Sequence, residues 1–192
     1  MHRPVLVTAP STTPVTTAEA KAHLRVDHSA EDTLIASLVQ AATDHLDGYS
    51  GILGRCLVTQ TWRQDFDSFE RTMRLPLLAA GITSAVYVDD NAAETTITST
   101  NYELQADDLG SFVRFIDDYA FPSGLAETRA LRVTFTAGYG AASAVPASIK
   151  AAILLLVGHW YFNREAVVVG IAPAELPMAV TALLAPYRRV GV

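Results

Sequence analysis

Apolar residues recur at helical spacing near both ends of the chain and alternate in its middle. Leu34, Ile35, Leu38, Val39, Ala42 and Leu46 form one stripe at steps of three and four, which predicts a helix. Thr16 and Glu19 stand three residues apart and predict a capping box, opening a shorter helix that ends near Leu24. Ser29 to Asp32 is a second helix start with two acids in its first turn. Gly48 and Gly51 stop the helix that follows. From Leu57 to Asp67 the pattern becomes alternating and rich in Val, Thr and Trp, which favours strand. Arg74 to Leu78 contains Pro76 and reads as edge or corner material. Further strands are predicted at 84–89, 95–98, 102–105, 112–116 and 131–136, with polar turns such as Asp89-Asp90-Asn91 between them.

The helical pattern returns after Gly138-Tyr139-Gly140. Pro146 suits a first helical position. Ile149, Ile153, Leu156 and Trp160 share one face, and Leu154, Leu155, Val157 and Tyr161 surround it. A helix apolar nearly all round is expected to be buried on most sides. A last short helix runs from Pro177 to about Leu184 and is broken by Pro186.

The expected fold class is therefore α+β. A helical bundle with helices from both chain ends is interrupted by a small antiparallel insert, sandwich-like or barrel-like. The predicted organisation is an extended N-terminal arm at 1–15, a discontinuous helical domain at 16–56 and 143–192, and a β-rich insert at 57–142. The arm holds three prolines and several threonines. It reads as a disordered end, with a strap over a neighbour as the alternative.

Composition sharpens this picture by exclusion. Half of the 192 residues are apolar, enough for a core without disulfides, and the single cysteine, Cys56, allows no internal one. Cys56 reads as a small buried hydrophobe. The net charge of −6 disfavours a grip on phosphate backbones. Arg188-Arg189 is the one visible basic pair. The N-terminus has no apolar signal core, and the apolar run 151–158 is too short to cross a bilayer. A soluble chain made in the cytoplasm, with no membrane partner, is expected.

A search for chemistry finds no site. His2, His23, His28, His45 and His159 show no metal-ligand spacing. Gly138-Tyr139-Gly140 lacks the third glycine of a phosphate loop and reads as a turn. The pairs Asp89-Asp90, Asp107-Asp108 and Asp117-Asp118 lack calcium-loop spacing. No catalytic residue, metal or cofactor is expected, and the chain is read as not an enzyme. The alternative is a β-domain ligand-binding module, for a glycan for example, using Trp62, Tyr87, Tyr102, Phe112 and Tyr119. Their alternation within strands favours core packing over that use.

The unusual features are apolar segments in loop-like places. Val167 to Ala172 and Leu183 to Tyr187 stand near the C-terminus. Such segments either mark a protein partner or fold back on the body.

Two longer blocks carry a resemblance. The first is Lys21-Ala22-His23-Leu24-Arg25-Val26-Asp27, then Glu31-Asp32 and the Ala41-Ala42 helix that ends in Gly51. The second is Val133-Thr134-Phe135-Thr136-Ala137-Gly138-Tyr139-Gly140, Val145-Pro146, Ile149 to Leu154, and His159-Trp160-Tyr161-Phe162-Asn163-Arg164-Glu165. In this order and at this distance they resemble the phage head–tail connector (adaptor) family, in its long form with an inserted β domain. The adaptors of gene transfer agents are similar. The resemblance implies a dodecameric ring in the particle neck, assembled in the bacterial cytoplasm. A portal protein would lie on one side of the ring and a stopper or tail-terminator protein on the other. DNA would pass through the channel without sequence-specific binding. It implies portal contact by the C-terminal region, here Leu176, Val180, Leu183, Leu184, Tyr187, Arg188 and Arg189. Val167, Val168, Val169 and Ile171 are the expected subunit or tail contacts. Leu184→Asp with Tyr187→Asp is expected to weaken portal binding while leaving the fold intact.

Overall fold

The computed structural model describes residues 2–163 and 178–189. They fall into two compact units, one within Met1–Ser11 and Thr59–Tyr139, the other within Thr12–Val58 and Gly140–Val190. Among the described residues the order is β1 (Val5–Thr8), α1 (Thr17–Leu24), α2 (Asp32–Leu46), β2 (Gln60–Phe66), β3 (Thr72–Arg74) and β4 (Ala79–Val88). Then come β5 (Glu94–Thr96), β6 (Tyr102–Asp107), β7 (Gly110–Phe115), β8 (Leu131–Ala137), α3 (Ala147–Phe162) and α4 (Met178–Leu184). This is a mixed α+β chain, and every strand pairing is antiparallel.

The helical unit is built on local signals that the residues dictate. The Glu19 N–H donates to Thr16 Oγ1 at 3.1 Å, and the Thr16 N–H donates to Glu19 Oε2 at 2.7 Å. That is the expected capping box, and it holds the Glu19 carboxyl below its ordinary pKa. Arg25, with φ 59, ends α1 in the left-handed region. Lys21 Nζ then reaches Asp32 Oδ1 at 2.5 Å, tying α1 to the first turn of α2. In α2 the inward face is Ile35, Val39, Ala42 and Leu46, whereas Leu34 is exposed and Leu38 only half-buried. The stripe is narrower than the pattern suggested, because α2 packs chiefly on α1 and α3.

α3 packs against α1, α2 and α4. It buries Ile149, Ala152, Ile153, Leu156, Val157 and Gly158. Each large member of that set contributes about 1.5–3 kcal/mol. Leu154, Leu155, Trp160 and Tyr161 are only half-buried, and Phe162 is 73% exposed. Burial on most sides is thus corrected to burial along one side.

The segment between α2 and β2 explains why the first insert strand starts late. The Leu57 N–H is taken by Asp47 Oδ1 at 2.6 Å, and the Gly48 N–H by the Arg55 carbonyl at 2.8 Å. These contacts commit backbone up to Leu57 to the helical unit, and pairing with β8 begins at Gln60. Gly51 is required here. A Cβ on it would stand 2.3 Å from the Asp47 carbonyl oxygen.

The β unit holds a five-stranded sheet in the order β1-β2-β8-β4-β5 and a three-stranded sheet in the order β3-β7-β6. Among the described residues neither sheet closes on itself, so the barrel-like expectation gives way to two open sheets. β8 is central and strictly alternating. Leu131, Val133, Phe135 and Ala137 are buried, with Val113, Phe115, Met73, Leu75 and Leu77 completing the core. β4 begins five residues before its expected start, and two register shifts near Gly81 and Ile82 hide its periodicity. β1 replaces the disordered end expected of the N-terminal arm. Its partners are Val5↔Arg63, Leu6↔Trp62 and Thr8↔Thr61 on β2. Pro4 and Pro10 flank it, which an edge position tolerates.

Candidate functional site

The described residues hold no group of three His, Cys, Asp or Glu side chains placed to bind a metal. The acidic pairs serve turns and ion pairs. Asp89 Oδ1 accepts the N–H groups of Asn91 and Ala93 at 2.9 and 2.8 Å. Asp107 accepts the Leu109 N–H and a two-pronged contact from Arg74 at 2.9 and 2.6 Å. The Arg74 guanidinium holds the Asp107 carboxyl down at about 2. His2 Nε2 lies 2.6 Å from Asp67 Oδ1, and the Arg129 N–H donates to the same oxygen at 2.9 Å. Those two contacts lower the Asp67 pKa. Cys56 is buried. No described helix is long and apolar enough to cross a membrane.

Five aromatic residues of the β unit pack on one another. Tyr102 meets Phe115 edge-on at 6.2 Å, Tyr119 stacks on Phe115 at 5.5 Å, and Phe69 and Phe121 close the cluster. Arg71 lies over Phe121 at 4.5 Å and donates to the carbonyls of Ile116 and Tyr119, pinning the loop to the cluster. Tyr102 is buried and Tyr119 half-buried in this cluster, so both rings are engaged in packing.

The surfaces remain. At the C-terminal end the structure separates the expected contact residues. Val180 and Leu184 are 2% and 1% exposed and belong to the helical core, since α4 packs on α3. Leu183 and Tyr187 are half-buried, and Arg188 is exposed. Arg189 donates its N–H to the Leu53 carbonyl at 3.0 Å, and its Cβ lies 3.4 Å from where a Gly54 side chain would begin. The described tail is thus folded back on its own unit. The expectation that Leu184→Asp would leave the fold intact is overturned, because a carboxylate at a sealed position has no water and no partner. Leu176, Val167, Val168, Val169 and Ile171 lie outside the described residues.

At the N-terminal end the reverse holds. Val5, Leu6 and Val7 are 44%, 44% and 53% exposed on β1. Sequence reasoning missed this strand. The run Val5-Leu6-Val7-Thr8, with three β-branched residues in four, was the available signal, masked by the neighbouring prolines.

Comparisons with known proteins bear on these surfaces. The family model of phage gp6-like head–tail connector proteins matches residues 15–103. Among solved structures, the whole chain matches a chain in the neck of an empty gene transfer agent (GTA) particle computed with C6 symmetry. The TM-score is 0.80 at 26% identity, covering 100% of this chain and 97% of the other. A chain in the virion of a native gene transfer agent particle matches at TM-score 0.79 and 26% identity over the same shares. A third, in the neck of a native particle computed with C12 symmetry, shares the fold at TM-score 0.76 and 23% identity, again over 100% of this chain and 97% of that one. No curated protein sequence matches the chain. The resemblance to head–tail connectors stands. The family match covers the first motif block and part of the β unit, and the structural match extends it to the second block. These relatives are structural particle proteins, not enzymes.

Proposed function

We propose that this chain is a structural subunit of a head–tail connector ring in the neck of a tailed phage or gene transfer agent particle. The observation that carries the reading is the match over the full chain to a gene transfer agent neck protein, together with the connector-family match. The sixfold symmetry of that neck suits a ring of six or twelve copies, the latter being the number implied by the resemblance. The portal would lie on one side and a stopper or tail protein on the other. The helical unit is the connector domain proper and the β unit its insert. A negative net charge of −6 suits a wall that DNA slides past without adhering. Portal contact falls to the outward side chains of the C-terminal set, Tyr187 and Arg188 foremost, with Val180 and Leu184 holding α4 in place beneath them. Val167, Val168, Val169 and Ile171 remain assigned to subunit or tail contact.

The test is to mix full-length protein with its portal and image the product by negative-stain electron microscopy. Rings seated on the portal are expected. Tyr187→Asp with Arg188→Glu should abolish seating while leaving the thermal melt unchanged. Seating unaffected by that double variant would move the portal contact elsewhere. No association of the unaltered protein with the portal would contradict the reading.

A further inference from the structure

The two units use their arginines differently. In the β unit Arg63, Arg74, Arg114, Arg129 and Arg132 each meet an Asp or Glu carboxylate. In the helical unit Arg55 and Arg188 form no ion pair among the described residues. The Nε of Arg55 is also buried without a hydrogen-bond partner, which is unfavourable and calls for an explanation. Arg132 shares that feature, yet its Nη1 meets Glu94. The backbone brings Arg55 and Arg188 close. After α2 the chain is fixed by its own bonds, the Ile52 N–H to the His45 carbonyl and the Gly54 N–H to the Gly51 carbonyl, both at 3.0 Å. The Gly48 N–H on the Arg55 carbonyl sets Tyr49 beside that pairing. The Arg189 N–H on the Leu53 carbonyl lays the tail alongside, and the Arg189 stem crosses Gly54. Tyr49 and Ile52 stay 42% and 37% exposed. Asp47 is the only carboxylate from His45 to Val58, and its Oδ1 accepts the Leu57 N–H.

We infer that residues 49–55 and the tail form one receiving surface, and that its occupant is an acidic segment of the portal protein whose carboxylates meet Arg55 and Arg188. The inference rests on the portal-contact reading proposed above, and adds to it the loop after α2 and the sign of the partner. Charge complementarity carries it. A guanidinium offers a planar fork that a carboxylate matches with two parallel hydrogen bonds, and one such partner would also serve the buried Nε of Arg55. Tyr and Arg are the residue types that dominate protein interfaces, and Tyr49, Tyr187 and the apolar Ile52 stand among the cations. The loop is held by backbone bonds before anything docks, so little ordering opposes the contact. Duplex DNA is the poorer occupant. Affinity for a phosphate backbone grows with the number of cations engaged, and Arg55, Arg188 and Arg189 are few on a chain of net charge −6.

The experiment measures binding of the full-length chain to its portal, and separately to a short duplex DNA, at low and high salt. Arg55→Gln should weaken portal binding about tenfold or more. Its melt should be unchanged or higher, because a buried N–H without a partner is removed. Tyr49→Ala, at an exposed position, should weaken portal binding about threefold or more at an unchanged melt, and it decides the matter if Arg55→Gln melts lower. Salt should weaken the unaltered complex more steeply than the Arg55→Gln complex. Equal salt dependence of the two would overturn the acidic partner. Portal binding untouched by Arg55→Gln and Tyr49→Ala but lost in Tyr187→Asp with Arg188→Glu would overturn the inference and leave the tail reading standing. Duplex DNA binding that disappears in Arg55→Gln, with portal affinity unchanged, would overturn it in favour of a phosphate backbone. No association of the unaltered chain with the portal would contradict the tail reading itself, and the inference with it.

Discussion

The two ends of the chain carry similar apolar residues and use them in opposite ways. At the C-terminal end Val180 and Leu184 point into the helical unit and leave almost no surface. At the N-terminal end Val5, Leu6 and Val7 lie on an edge strand and stay about half exposed. The difference comes from geometry. A helix can turn one face fully inward, so α4 hides Val180 and Leu184 at a spacing of four while Met178 stays exposed. β1 lies at a sheet edge, and among the described residues nothing covers its apolar side chains as fully as the edge residues Met73 and Tyr102 are covered. Hydrophobicity alone does not identify an interface; what identifies it is whether the element can bury that surface itself.

The largest expected effect that tests this contrast is at Leu184. Leu184→Asp should destabilise the protein by about 4 kcal/mol, from lost packing and an unpartnered buried carboxylate, read as a lower chemical-denaturation midpoint. A change below about 1 kcal/mol would mean that α4 is not part of the core. Next is the ion pair that steadies the strand under β1. Asp65 is 2% exposed and receives Arg63 Nε and Nη2 at 2.8 and 3.1 Å. Arg63→Ala should cost about 2–3 kcal/mol by leaving that carboxylate with weaker partners. It should also loosen β1, measured as faster amide exchange at Val5 to Thr8. At the exposed end, Val7→Lys should change stability by about 0.5 kcal/mol or less. A large loss there would show that β1 is core after all.

The smallest effect is a pH dependence of the N-terminal pin. Asp67 has its pKa lowered by the His2 contact first and the Arg129 N–H second. A depressed folded pKa gives stability that is present above the unfolded carboxylate value of about 4 and fades as pH falls through the folded one. Amide exchange at His2 and Val5 should therefore quicken in acid below that range. In Asp67→Asn this acid-dependent step should be absent.

Much of the helical unit was legible in the sequence, because its signals are local. Thr16 and Glu19 cap each other within one turn, and Ile149, Ile153 and Leu156 recur at helical steps. The middle strands were legible as elements but not in their limits. The late start of β2 depends on Asp47, ten residues upstream of the N–H it captures. The early start of β4 depends on register shifts that break the alternation. The surfaces were the least legible. Leu184 looked exposed because Pro186 follows it, and the core that receives it is α3, distant in sequence. β1 looked disordered because its partner among the described strands, β2, lies more than fifty residues away.

The central claim is that this chain joins head to tail. Electron microscopy of particles produced with and without it tests that most directly. Without the chain, filled heads and separate tails should accumulate, and supplying the full-length chain should restore joined particles with a ring at the neck. Joined particles of normal appearance in its absence would contradict the account.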